Sequence, residues 1–360
     1  MSRVNIKDVA ERAGVSTATV SHVLNETRYV REETRQRVLL AVQELNYHPS
    51  SIARGLATNS TQTIGLVVSD ITNPFFTAMA KAIEDVVTNH HGYYTIFCNT
   101  DEDPEREEEY LRLLQARQID GLIITPTGVH SERLIQMNNL GIPILLLDRS
   151  APEVNAPLLE VDNEDGAYQA TRYLIELGHR RIAVLTGKKT ISTLYKRLKG
   201  YKRALNEADI PFDETLIMRA DPKFYGITPQ PDGTILYPLV DEQIASSPCA
   251  ALRDVFNSPD PPTAIFVTNN QMTLRALYAL KEVGLRCPND VSVISFDDHD
   301  WAPLFSPPLT VIRQPTHQLG QTAAQVLMQL IHKETVDEIP RMPVELIVRE
   351  SCRPVTPTVH

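Results

Sequence analysis

Apolar residues along the chain recur with two different spacings, and the spacing changes near residue 60. Before it, Ile6, Val9, Ala10 and Ala13 fall at i, i+3, i+4 and i+7, one face of a short helix. Gly14 breaks that pattern where a tight turn uses positive φ, and Val15 is placed to plug the turn. Ser16 is a good N-cap for a second helix, Thr17 to Leu24. In that helix Val20, Val23 and Leu24 share the inner face, while Thr17, Ala18, Ser21 and His22 share the outer one. A third helix is predicted from Glu32 to Leu45, with Val38, Ala41, Val42 and Leu45 inward and two glutamates in its first turn. Two short helices joined by a glycine turn make a helix-turn-helix, whose second helix enters the major groove. Threonine and alanine offer hydroxyl and methyl contacts to base edges, and His22 can donate to an acceptor there. A three-helix bundle that binds a protein fits the same pattern.

Residues 50–58 could form one short helix started by Pro49. At about nine residues it falls below the roughly 12–15 at which isolated helices become stable, so it would fold only when packed on something. Leu56 is then a candidate wedge for a minor-groove base step. A plain linker is the competing reading.

Beyond residue 61 the pattern becomes short apolar runs alternating with amphipathic stretches. The runs are 64–68, 95–97, 122–124, 144–147, 182–185, 264–267 and 291–294, and the amphipathic stretches include 76–89, 105–117 and 166–177. This alternation predicts doubly wound parallel sheets, whose strands are continuously apolar because both faces are buried. Ligands of open α/β sheets bind at the carboxyl ends of strands. There the chain places Asp70 and Asn73 with Phe75 and Phe76, then Asn99, Asp148-Arg149, Asn269-Asn270 and Asp297-Asp298. Carboxylates, amides and an arginine can bond both donors and acceptors of a polyol, and the aromatics can cover its C–H faces.

Charge sharpens the division. The formal net charge is −10, which alone argues against nucleic acid, yet residues 1–61 carry eight Lys/Arg against six Asp/Glu and the rest 27 against 39. A small cationic module on an acidic body can meet phosphate through the module alone. The acidic run from Glu102 to Glu109 reads as a solvated helix start. The four cysteines are scattered and form neither a disulfide framework nor a zinc site, which suits a reducing cytosol. No apolar run approaches the roughly 18–20 residues of a membrane helix, and no hydrophobic signal follows the N-terminus. A cytoplasmic protein is therefore expected. Nucleotide-binding and hydrolase motifs are missing, so no catalytic residue, cofactor or metal is expected.

The stretch from Ile6 to Asn25, IKDVAERAGVSTATVSHVLN, resembles the lactose-repressor family of bacterial regulators. The likeness continues at Tyr47-His48-Pro49, Ala53-Arg54-Gly55-Leu56, Ile64-Gly65-Leu66, Asn73-Pro74-Phe75-Phe76, residues 177–182, Ser295-Phe296-Asp297 and Gln314-Pro315. It covers nearly the whole chain and is nearest the ribose and purine repressor branch. The resemblance implies an all-α helix-turn-helix head with a hinge helix, residues 1–60. It implies an α/β core of two lobes like periplasmic binding proteins, residues 61–360. It implies a homodimer on a near-palindromic operator in double-stranded DNA, read by Thr17, Ala18, Ser21 and His22, with Arg54 and Leu56 at the minor groove. A small-molecule effector would be held by Asn73, Phe75, Phe76, Asp148, Arg149, Arg197, Asn269, Asp297 and Gln314, and no enzymatic activity is implied. Leu147-Asp148-Arg149 is typical of sugar binders, so a sugar effector is favoured. A purine-type corepressor and control by a protein partner are the alternatives. The resemblance further implies a first lobe of about 62–162 with 291–320, and a second of 163–290 with the segment after 322. Asn270 departs from the family's usual Asp. Residues 221–247 are longer than usual, and Phe224, Tyr225 or Tyr237 could supply the stacking aromatic found near that segment's start.

Overall fold

The computed structural model describes residues 4–25, 28–47, 60–129, 131–220, 228–229, 235–236 and 248–355. The expected hinge helix with Arg54 and Leu56, and the candidate aromatics Phe224, Tyr225 and Tyr237, lie outside them. The chain divides into two compact units, Met1–Gln62 and Thr63–His360.

In the first unit α1 (Ile6–Ala13) is capped reciprocally. Asn5 accepts from the Lys7 N–H at 2.8 Å, and Asp8 accepts from the Asn5 N–H at 2.8 Å. Gly14 ends the helix at φ 65°, where a side chain would be strained. Ser16 opens α2 (Thr17–Asn25) by accepting the Thr19 N–H at 3.1 Å. With α3 (Glu32–Glu44) these helices enclose a small core of Val9, Ala13, Val20, Val23, Val38 and Ala41. Burial of Val20 and Val23 fixes which face of α2 turns outward.

Among its described residues the second unit holds two large sheets and a two-stranded hairpin. In the first, β1 (Thr63–Val68), β2 (Tyr94–Asn99), β3 (Gly121–Ile124), β4 (Ile144–Leu147) and β5 (Leu158–Leu159) run parallel in the order β2-β1-β3-β4-β5. Its helices are α4 (Pro74–His91), α5 (Pro104–Ala116) and α6 (Glu132–Asn139). After the crossover at 160–162 come α7 (Asn163–Glu176), β6 (Ile182–Thr186), α8 (Ser192–Glu207) and β7 (Ile217–Arg219). A short hairpin, β8 (Thr228–Pro229) with β9 (Ile235–Leu236), precedes α9 (Pro248–Phe256), β10 (Ala264–Val267), α10 (Asn270–Glu282), β11 (Ser292–Phe296) and β12 (Thr310–Arg313). The chain then forms α11 (Thr316–Ile331) and ends on β13 (Glu345–Ile347). The second sheet has the order β13-β12-β11-β10-β6-β7, antiparallel only at β13.

This connectivity corrects the expected lobe boundaries. The run at 291–294 pairs in register with β10, Ala264 opposite Ser292 and Val267 opposite Ser295, so β11 and β12 extend the second sheet. α11 returns to the first lobe, where Leu319, Ala323 and Leu327 join the core formed by Met79 and Ile83 of α4. Gly320 permits that approach, since a Cβ there would stand 2.6 Å from the Met79 carbonyl oxygen. Three crossovers therefore join the lobes, near 160–162, 314–315 and 332–344.

The acidic run also differs from its reading as a solvated helix start. Glu107, in the first turn of α5, is only 1% exposed. It accepts from the Thr127 N–H at 2.7 Å and the Thr127 hydroxyl at 3.1 Å. Burial pushes its carboxyl up to about 7 against the pull of those bonds. Between its unfolded value near 4.5 and about 7 the folded state binds the extra proton, so this group's contribution to stability falls as pH rises through that window. Glu107→Gln should raise the melting temperature at pH 8, by the equivalent of about 1–3 kcal/mol, and change it little near pH 5. Equal shifts at both pH values in calorimetry would contradict this.

Candidate functional site

On the head, Thr17 and Ala18 are exposed and Ser21 and His22 half-buried, all on the face of α2 opposite Val20 and Val23. Tyr29, between α2 and α3, was not singled out from the sequence. It is 93% exposed, the most exposed large apolar side chain among the described residues.

The second unit has a cleft between its lobes, partly open to solvent. All nine residues expected to hold an effector line it: Asn73, Phe75, Phe76, Asp148, Arg149, Arg197, Asn269, Asp297 and Gln314. Asp70, Glu102 and Gln271 line it as well and were not among those candidates. Strand ends supply most of these side chains. Asp148 after β4, Asp297 after β11 and Glu102 after β2 have φ of 67°, 80° and 58°, left-handed backbone that few residues with a Cβ adopt. Helix starts supply the rest. Asn73 caps α4 by accepting the Phe75 N–H at 3.0 Å, and Asn269 caps α10 by accepting the Met272 N–H at 2.8 Å.

Each charged group has a distinct setting. Arg197 donates from Nε to Asn163 Oδ1 at 2.8 Å and from Nη1 to the Thr268 carbonyl at 2.6 Å. Its guanidinium lies 3.6 Å from the Phe296 ring centroid, and burial lowers its pKa. Asp297 accepts from the Asn270 N–H at 3.3 Å and from the Gln314 amide. Burial pushes the Asp148 carboxyl up to about 6, against the opposing pull of Arg149 and Arg197. Arg149 pairs with Glu102 through both Nη atoms, at 2.7 and 2.6 Å. Burial, the largest influence, acts to raise the Glu102 carboxyl, but the Arg149 charge and the hydrogen bonds from Arg149 and Ser69 together outweigh it and hold the group below its usual value. Two buried atoms of residues that line the cleft, Arg149 Nε and Gln314 Oε1, have no hydrogen-bond partner among the described residues.

Among the described residues, side chains and backbone bridge the two lobes directly. Asn270 Nδ2 donates to Asn73 Oδ1 at 2.6 Å, Gln271 donates to Asp70, and the Ser150 N–H donates to Ser192 Oγ at 3.1 Å. The first explains what Asn270 brings in place of the family's aspartate. An amide can donate to Asn73, whereas a carboxylate there could only accept.

The head matches the model of bacterial regulatory proteins of the lacI family over residues 5–50. The core matches that of periplasmic binding proteins and the sugar-binding domain of the LacI family over 61–226. A periplasmic binding protein-like domain matches over 171–352. The PurR transcriptional repressor of Photobacterium profundum is 36% identical over 353 residues, covering 97% of this chain and 98% of that protein. The chain belongs to the LacI family. It is a DNA-binding transcription regulator with a helix-turn-helix head and two α/β lobes built on largely parallel sheets. A lac repressor dimer bound to operator and the anti-inducer ONPF superposes with a TM-score of 0.79 at 30% identity, covering 98% of this chain and all of that one. A LacI-family regulator from Enterococcus faecium with bound ribose gives 0.68 at 29% identity, covering 82% of this chain and all of that one. Among the described residues no helix is long and apolar enough to cross a membrane.

Proposed function

We propose that this LacI-family protein is a cytoplasmic, homodimeric repressor whose operator affinity is set by a sugar held in the cleft. The carrying observation is that Arg149 and Gln314, which both line the cleft, each keep a buried atom without a hydrogen-bond partner among the described residues, Nε and Oε1. One is a donor and the other an acceptor, and each sugar hydroxyl serves as both. Phe75 and Phe76 meet edge to face at 5.2 Å and 71°, beside that polar set. In this reading Asn73, Asp148, Arg197, Asn269 and Asp297 complete the hydrogen-bonding shell, and the protein catalyses no reaction. The lac repressor dimer supports the two-copy assembly. So do Leu274 and Leu304, which are 46% and 80% exposed although their sequence neighbours Leu277, Trp301 and Phe305 pack on a buried cluster.

A purine-type corepressor is the second reading, favoured by the PurR relatives at 36% identity over nearly the whole chain. The two differ in sign as well as chemistry: a sugar releases operator, a corepressor tightens it. Only a ligand with unequal affinity for the two states can do either. A thermal-shift screen against pentoses, hexoses, sugar phosphates and purines separates them, because a ligand that binds only the folded state raises the melting temperature. Stabilisation by a free sugar supports the proposal. Stabilisation by purines alone overturns the sugar, and no response at all moves control to a protein partner.

Thr17, Ala18, Ser21 and His22 read each half-site in this account, and Arg54 and Leu56 meet the minor groove at the centre. Leu56→Ala should weaken specific binding by roughly 1–3 kcal/mol and reduce DNA bending. Unchanged bending in a circular-permutation assay would remove the wedge.

A further inference from the structure

Arg149 has both of its terminal nitrogens bonded to one carboxylate inside the protein. Glu102 takes both of them in a parallel fork, at 2.7 and 2.6 Å, with the two side chains only 16% and 8% exposed. That end-on fork is one of the two faces with which a guanidinium grips a phosphate or a carboxylate, the other being the side face that includes Nε. The remaining nitrogen, Nε, stands 3.8 Å from Asp148.

Glu102 is held there by its backbone. Asp101 and Glu102 are consecutive left-handed residues at φ 60° and 58°, and the Glu102 N–H donates to the Ser69 carbonyl at 3.0 Å. Two successive residues with side chains in that conformation persist only where surrounding structure requires them. The wider cleft has the same sign bias, with four carboxylates lining it against two guanidinium groups.

We propose that Glu102 sets the charge specificity of the cleft: by occupying the end-on face of Arg149, while Asp148 stands beside its Nε, it makes the site refuse anions, so the effector is an uncharged polyhydroxyl compound and its phosphate esters are excluded. This rests on the cleft being the effector site. A phosphate would have to displace Glu102 from a buried pair and then lie against Asp70, Asp148 and Asp297. Removing the Glu102 charge exposes a fixed guanidinium and reverses the preference. Glu102 is thus a positioning residue, acting through Arg149.

The test compares wild type, E102Q and E102Q/R149Q by thermal shift and calorimetry, with inorganic phosphate, ribose 5-phosphate and ribose as probes at constant ionic strength. Phosphate should leave the wild type unmoved at millimolar concentration. In E102Q it should raise the melting temperature, with an affinity tighter by about tenfold or more, and the double variant should lose that gain. A plain structural ion pair would lower stability in E102Q without creating anion binding. Equal phosphate affinity in wild type and E102Q, or a gain that survives in the double variant, overturns the proposal. If E102Q does not fold, the wild type decides: ribose 5-phosphate bound as tightly as ribose sinks it, and rejection of the ester with ribose bound supports it. A phosphate gain in E102Q with no free sugar bound by the wild type would uphold Glu102's role and refute the sugar reading instead.

Discussion

Gly200→Ala should cost about 3 kcal/mol or more and lower the melting temperature by roughly 10 °C, the largest loss expected from adding a single methyl group. Helices α7 and α8 cross at this glycine. A Cβ there would stand 2.0 Å from the Glu164 carbonyl oxygen and 2.9 Å from the Tyr168 nitrogen. Both are backbone atoms of α7, so no side chain can swing aside, and relief requires the helices to part. Parting them disturbs the core of Ala167, Ala170, Leu174, Tyr201 and Leu205. Arg197 lies one turn earlier on α8, so the damage should reach the cleft and weaken effector binding too. Calorimetry of the variant checks the first effect. A loss below about 1 kcal/mol would mean the two helices are not held this closely.

Arg197→Ala is expected to abolish effector binding and to destabilise the second unit by about 3–5 kcal/mol. The side chain is 4% exposed, and its removal leaves Asp148 and Asp297 without a buried cation they both feel. It also leaves the Thr268 carbonyl and Asn163 without their donor and the Phe296 ring without its guanidinium. Arg197→Lys separates charge from geometry. Lysine restores the charge but neither the separate bonds to Asn163 and Thr268 nor the plane over Phe296, so it should recover part of the stability and little of the effector response. The head has its own core and should keep its helical signature in both variants. Full recovery of the response by lysine would show that charge alone is required.

Much of this was legible in the sequence, for identifiable physical reasons. The inner strands of the parallel sheets are buried on both faces, so they stand out as unbroken apolar runs, as at 144–147 and 264–267. Ligand groups follow strand ends, so Asp148, Asn269 and Asp297 could be picked by position. Glu102 and Glu107 could not. An acidic run looks solvated until the Arg149 fork and the Thr127 bonds show two of its members buried. Gln271 escaped for a different reason: it sits within the first turn of α10, and its partner Asp70 is 201 residues away. The lobe boundaries failed because periodicity marks a strand without saying which sheet it joins. Pairing of β11 with β10 settles that, and nothing in the local pattern of 291–294 encodes it.

Operator affinity with and without ligand tests the control of the head by the cleft most directly. A site selected from random DNA by the full-length protein would be titrated by fluorescence anisotropy at fixed salt, with and without the compound that most stabilises the protein in the thermal screen. The expected result is a near-palindromic site and an affinity that falls at least about tenfold when the cleft is filled, a coupling of roughly 1.4 kcal/mol or more. Arg149→Ala should bind the same site and ignore the compound. Affinity that stays constant as the cleft fills would contradict the central claim that this cleft controls the DNA-reading head.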